Sequence, residues 1–358
     1  MLKLTEQQED RAISLHKKAV VITTHSDVTS CDVAEQRSRG EKQVLLSRHL
    51  PVWKEGGVTA TIETVGGTTL HQTFPLRELI AAASNPTKRT LKIIDYVTQD
   101  LAESRGEIAL ATSAEEISAA KKEGRVCLIF GFEGADPIDD DLGLLRIFYR
   151  LGVRCIEIAW IYRNRMLDGV WEPTNSGLTH LGIEAVEEMN RLGILVDVSH
   201  STEAGFWDML KYSRDPVVAT HCNARAKLDH ARNLTDEQIK ALSEKDGVIG
   251  LNMNFASPKE PSMELLLDQL EYLIEVGGVD HIGLGLDLNS TPWPIEAYRE
   301  IWRGTTFMFP FSYPKELDTP AKLPNITRGL VARGYSDSEI EKVLGTNMLR
   351  LFKRVFRK

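Results

Sequence analysis

Short apolar, β-branched runs alternate with amphipathic segments along this chain. The runs are Ala19–Thr24 (AVVITT), Val58–Val65 (VTATIETV), Arg125–Phe132 (RVCLIFGF), Val153–Ala159 (VRCIEIA), Ile194–Val198 (ILVDV), Pro216–Thr220 (PVVAT), Val248–Met253 (VIGLNM) and Ile282–Leu286 (IGLGL). They are continuous rather than alternating, as parallel strands buried on both faces are. Between them apolar residues recur three and four apart. That spacing predicts helices over Leu76–Ser104, Asp140–Leu151, Thr179–Leu192, Thr235–Leu242, Met263–Val276 and Ser336–Phe356. Thr179 and Thr235 stand where a capping hydroxyl is wanted, and Gly193 follows the first of those helices as a C-terminal stop.

The alternation predicts an α/β protein, a (β/α)8 TIM barrel. An open doubly wound sheet is the competing layout, but no Gly-x-Gly-x-x-Gly follows the first run. We read residues 1–358 as a single catalytic barrel domain, with an N-terminal helix at about 5–18 and a C-terminal helix at about 336–356. Two stretches exceed a minimal barrel. Residues 28–57 read as a polar loop, and residues 288–324 carry Pro292, Pro294, Pro310, Pro314, Pro320 and Pro324. Both follow strands, so both fall at the C-terminal end of the barrel, where long loops form lids and substrate walls.

Composition narrows the classes. The 358 residues hold 43 Lys and Arg against 51 Asp and Glu, a net charge of −8. That balance argues against a nucleic-acid partner. No apolar run approaches the ~20 residues of a membrane span. The N-terminus is polar and the chain ends KRVFRK, so no signal peptide or membrane anchor is expected. Cys31, Cys127, Cys155 and Cys222 are widely spaced and read as reduced thiols, which predicts a cytoplasmic enzyme.

The chemistry-bearing residues gather at the ends of these runs. His25 and Asp27 follow the first run, Glu133 the third, His200 the fifth, His221 the sixth and Asp287 the eighth. A histidine or acid at one strand end is ordinarily a packed side chain or a cap. Such residues after so many strands would meet on the one barrel face where chemistry is found. Imidazole plus carboxylate without thiolate suits zinc, or manganese, iron or cobalt. Five ligands exceed what one catalytic zinc with an open position takes, and they suit two metals sharing a carboxylate. The reaction expected is hydrolysis at a carbonyl or phosphoryl centre. Asp197, inside its run, reads as pairing within the barrel.

These residues and their flanking sequences are similar to a known family. His25-Ser-Asp27, LIFGFEGADPIDDDLGLLRIFYRLGVR, HLGIEAVEEMNRLGILVDVSHST, PVVATHCNARA with ARNLTDEQIKAL, and GLGLDLN resemble the membrane (renal) dipeptidase family, peptidase family M19 of the amidohydrolase superfamily. The resemblance covers most of residues 19–355. It implies a metal-dependent hydrolase barrel holding two zinc ions. His25 and Asp27 would hold one, His200 and His221 the other, and Glu133 would bridge them. Asp287 would act as general acid/base toward a metal-bridging hydroxide. Arg232 would clamp the free carboxylate of a dipeptide-like substrate, possible with a D-amino acid at its C-terminal position. The resemblance also implies a homodimer.

Three positions depart from the family pattern. Trp160 stands where a histidine contacts the scissile region, Ala256 where a tyrosine follows Asn-Phe, and Asn289 where a second aspartate is found. Trp160 and Asn289 are therefore taken as substrate contacts, and Tyr162, Arg163 and Arg165 either replace the lost polar partner or belong to an exposed polar loop. These departures keep a second reading open: a hydrolase of another small carboxylate-bearing amide or a lactone.

Overall fold

The structure is a computed structural model; it describes residues 4–67, 85–256, 261–289 and 313–357. Among the described residues nine parallel strands form one sheet. They are β1 (Val21–Ser26), β2 (Val58–Gly67), β3 (Ile108–Leu110), β4 (Val126–Glu133), β5 (Val153–Glu157), β6 (Leu195–Asp197), β7 (Val218–Cys222), β8 (Val248–Leu251) and β9 (Ile282–Leu284). Pairing runs β2-β1-β9-β8-β7-β6-β5-β4, and β2 pairs again with β4, which closes an eight-stranded barrel. The fold expected from the apolar runs is thus the fold observed.

β3 lies outside that ring. It pairs with β4 over Val126 to Leu128, on the edge that β5 takes up from Phe130 to Glu133. β2 runs along the other edge from Cys127 to Glu133. The long strand β4 is therefore paired on both edges along nearly its whole length.

Helices cover the outside, and their ends obey the local chemistry. His180–Leu192 is capped by Thr179, whose hydroxyl accepts from the Gly182 amide at 3.1 Å, and it stops at left-handed Gly193. Asp236–Glu244 begins with a capping box between Thr235 and Gln238. Each such cap stabilises by about 1 kcal/mol. The faces they turn inward are apolar, as with Ala185, Val186 and Met189, and each large buried side chain contributes roughly 1.5–3 kcal/mol.

The N-terminal helix spans Glu6–Lys18, close to expectation. The C-terminal segment differs. It breaks into Asp337–Glu341, a wide turn over Lys342–Thr346, and Asn347–Val355. The break is at Gly345, where a Cβ would stand 2.3 Å from the Val20 carbonyl oxygen. Residues 28–57 also differ from the expected loop, for they contain Thr29–Val33, Ala34–Ser38, Leu45–His49 and Leu50–Glu55 as short helical turns. The helix expected over Leu76–Ser104 is seen as Pro86–Glu103, capped by Asn85, and its earlier part lies outside the described residues. Of the loop 288–324, residues 290–312 lie outside them too.

Candidate metal centre

The barrel's C-terminal rim brings the six rim residues together. His25 sits near the end of β1 with Asp27 just past it, Glu133 ends β4, and His221 lies on β7. His200 follows β6 and Asp287 follows β9, both non-glycine residues in the left-handed region, at φ 58° and 54°. That conformation costs of order 1–3 kcal/mol, and it turns each side chain back over the barrel mouth.

Glu133 is the hub. Its Oε1 lies 3.4 Å from His200 Nε2, 3.7 Å from His221 Nε2 and 3.7 Å from His25 Nε2. His25 Nε2 is also 3.8 Å from Asp27 and 3.9 Å from Asp287, beyond hydrogen-bond distance of either. The Nε2 atoms of His200 and His221 face each other at 2.9 Å. Two overlapping groups of potential metal ligands result: His25, Asp27 and Glu133, and Glu133, Glu157, His200 and His221. In each group one ligand atom per residue lies within 4.8 Å of every other. All these side chains are buried.

Electrostatics differ across the hub. Burial alone would lower His25, but Glu133, Asp27 and Asp287 overcome it and push the imidazole up to about 10. Burial drives His200 and His221 well below the ordinary histidine range, with Arg232 and His25 adding to it. Burial raises Asp287, and the Asp27 charge adds to that, while His25 and a 2.8 Å hydrogen bond from Asn254 Nδ2 oppose it.

The supporting contacts fix these side chains. The Asp197 carboxylate accepts from the Ser199 amide at 2.9 Å, the Thr220 amide at 3.1 Å and the Thr220 hydroxyl. With its proton committed to Asp197, Thr220 Oγ1 accepts from His221 Nδ1 at 2.9 Å. That tautomer leaves His221 Nε2 with a bare lone pair toward Glu133, as a metal-ligating histidine requires. Beneath, Gly250 and Gly285 leave room that a Cβ would fill at 2.1 and 1.7 Å from the Thr220 carbonyl oxygen.

The remaining candidates are placed as follows. Arg232 is buried, donates to the His221 carbonyl at 2.9 Å and to Cys222 Sγ at 3.6 Å, and keeps its Nε without a hydrogen-bond partner. Trp160 packs its ring 6.1 Å from that of His200 and begins an edge-to-face row with Tyr162 and Trp171. Asn289 Oδ1 accepts from the Asp27 amide at 3.0 Å, so its visible work is to hold a neighbour of the cluster. Arg163 pairs with Asp168 and Thr174, and Arg165 with Asp139. Those two guanidiniums are committed to the loop itself and do not replace the polar partner.

Two residues were missed in the sequence. Glu157 belongs to the second group and Asn254 holds Asp287. An acid inside the apolar run VRCIEIA is the signal that marks Glu157.

The chain is similar to known proteins along most of its length. The family profile described as membrane dipeptidase (peptidase family M19) matches residues 9–357. An uncharacterized protein in the pqqA 5′ region of Klebsiella pneumoniae is 32% identical over 72% of this chain and 93% of its own length. Dipeptidase tcpJ of Claviceps purpurea is 28% identical over 74% of this chain and 60% of its own length. A Rhodobacter sphaeroides metallo peptidase, solved with a phosphinate mimic of the dipeptide L-Ala-D-Ala, aligns with a TM-score of 0.79 and 26% identity, over 94% of this chain and 99% of that one.

Proposed function

From the chain's membership of the membrane dipeptidase family, a family of metallopeptidases, we propose that it hydrolyses the peptide bond of dipeptides with a free C-terminal carboxylate. The observation that carries this reading is Glu133 Oε1, shared among His25, His200 and His221. The residues fit a pair of divalent cations. His25 Nε2, Asp27 Oδ1 and both Glu157 oxygens are buried with no hydrogen-bond partner, and imidazole plus carboxylate is the donor set for zinc or a similar ion. His25, Asp27 and Glu133 would hold one zinc, and Glu133, His200 and His221 the other. When bound, such a pair lowers the pKa of a water held between the ions and polarises the scissile carbonyl.

The chain's own groups do the rest. Asp287 is partly exposed at the mouth and is held from one side by Asn254, which leaves Oδ1 toward the cluster. It takes a proton from the attacking water as the O–C bond forms. It delivers that proton to the amine nitrogen as the C–N bond breaks. Arg232, anchored through His221 and Cys222, offers Nε to the substrate's carboxylate. Trp160 walls the side next to His200. The ligand of the Rhodobacter sphaeroides relative supports substrates with a D residue at the C-terminal position.

The test is hydrolysis of a panel of L-L and L-D dipeptides, N-acyl amino acids and lactones before and after chelation. Dipeptide turnover lost with the chelator and regained with added zinc is expected. Full activity after chelation, or turnover of the lactones alone, overturns the reading.

A further inference from the structure

We propose that Glu157 is itself a ligand at the second cation position, giving it two imidazoles and two carboxylates. The inference rests on the two-cation reading above. Glu157 is the last residue of β5, in register with Glu133 on β4 and Asp197 on β6. Three acids thus line up across neighbouring strands, and they differ in what they touch. Asp197 accepts two backbone amides and a hydroxyl. Glu133 meets three imidazole nitrogens. Glu157 is 1% exposed, has no hydrogen-bond partner for either oxygen, and forms no ion pair among the described residues.

A buried carboxyl group without a donor is strongly disfavoured unless something compensates it. No N–H or O–H donates to either Glu157 oxygen. Its surroundings supply other ligands: one of its oxygens lies within 4.8 Å of donor atoms of Glu133, His200 and His221. Arg232 is a nearby positive charge, but its terminal nitrogens are committed to His221 and Cys222. A divalent cation answers all four side chains at once. The charges agree as well, since three carboxylates, Asp27, Glu133 and Glu157, would face two dications.

The added oxygen sets the class of ion. Two carboxylates and two imidazoles suit a five- or six-coordinate cation such as manganese, iron(II) or cobalt(II), and zinc there would take substrate only by expanding to five-coordinate. The two positions would then differ, with the second favouring the harder ion.

Cobalt(II) titration of the metal-free full chain tests this, read by calorimetry and visible absorption. The wild type should bind two equivalents. Glu157→Gln, which keeps the shape and removes the charge, should bind the second equivalent about 100-fold more weakly, and its absorption should change shape. The same variant should melt higher than wild type without metal and gain less on adding cobalt. Glu157→Asp, which withdraws the oxygens by one methylene, is a second variant should Gln fail to fold, and it should weaken the same equivalent. Two equivalents with unchanged affinity and spectrum in the variant that folds overturn the assignment of Glu157 alone. A wild-type chain that takes up fewer than two overturns the two-cation reading with it.

Discussion

The two sides of Glu133 treat an imidazole in opposite ways. On the β1 side, one histidine stands among Asp27, Asp287 and Glu133, and its affinity for a proton rises to about 10. On the β5–β7 side, His200 and His221 stand beside each other and are held well below their ordinary range. All three rings are buried. Burial alone favours the neutral ring, and carboxylate company decides whether that preference survives. The β1 side therefore takes a positive charge in some form, while the β5–β7 side presents neutral lone pairs.

The sharpest way to break this contrast is to remove what the sides share. Glu133→Gln should lower kcat/KM by at least about 10^4-fold, the several kcal/mol that metal catalysis supplies, and should empty both positions by elemental analysis. His25→Ala and His221→Ala should each remove a different single equivalent. Equal losses from all three would erase the distinction between the sides.

Next is the residue proposed to carry the proton. Asp287→Asn should lower kcat by about 10^2–10^4-fold while metal content stays at the wild-type value. Metal lost together with activity would make Asp287 a ligand instead. A smaller effect tests the orientation of His221. Thr220→Val cuts the Asp197–Thr220–His221 chain and should weaken the second equivalent by about 10–100-fold, leaving the first unchanged.

The mildest test uses a buried imidazole that is not one of the rim ligands. His230 stacks on Phe255, and burial, with Arg232 and Arg225, holds it down to about 3. The unfolded chain takes up that proton near pH 6.5 and the folded chain does not until about 3. Between those values the unfolded state binds more protons, so stability falls as the pH drops. Melting curves of His230→Phe from pH 7 to 4 should fall less steeply than wild type, whatever their absolute height. An unchanged slope would mean that His230 does not follow the burial rule.

Much of this was legible in the residues. Strands buried on both faces leave continuous apolar runs, so all eight ring strands could be found. β3 could not, because Ile108–Leu110 pairs with β4 alone and is only partly buried, so it lacks the longer apolar run that frames the equally short β6 and β9. Residues 28–57 hid their helical stretches, Thr29–Ser38 and Val44–Glu55, because the wide turns within them shift the 3.6-residue spacing that marks an α-helix. The clustered histidines and acids stood out at strand ends. Glu157 did not, since a strand-internal acid looks the same whether it pairs as Asp197 does or lacks a partner. Arg163 and Arg165 left two readings open because sequence cannot show that Asp168 and Asp139 already hold them.

β4, gripped along both edges, has a mechanical consequence. The Glu133 carboxylate, between the two ligand groups, stands at the tip of a strand paired along both edges, while His200 and Asp287 stand on left-handed bends past three-residue strands. Glu133 then works as a fixed gauge. Under the two-cation reading, adjustment to ions of different radius would fall to the bends around it, and the scaffold would set the spacing between the ions.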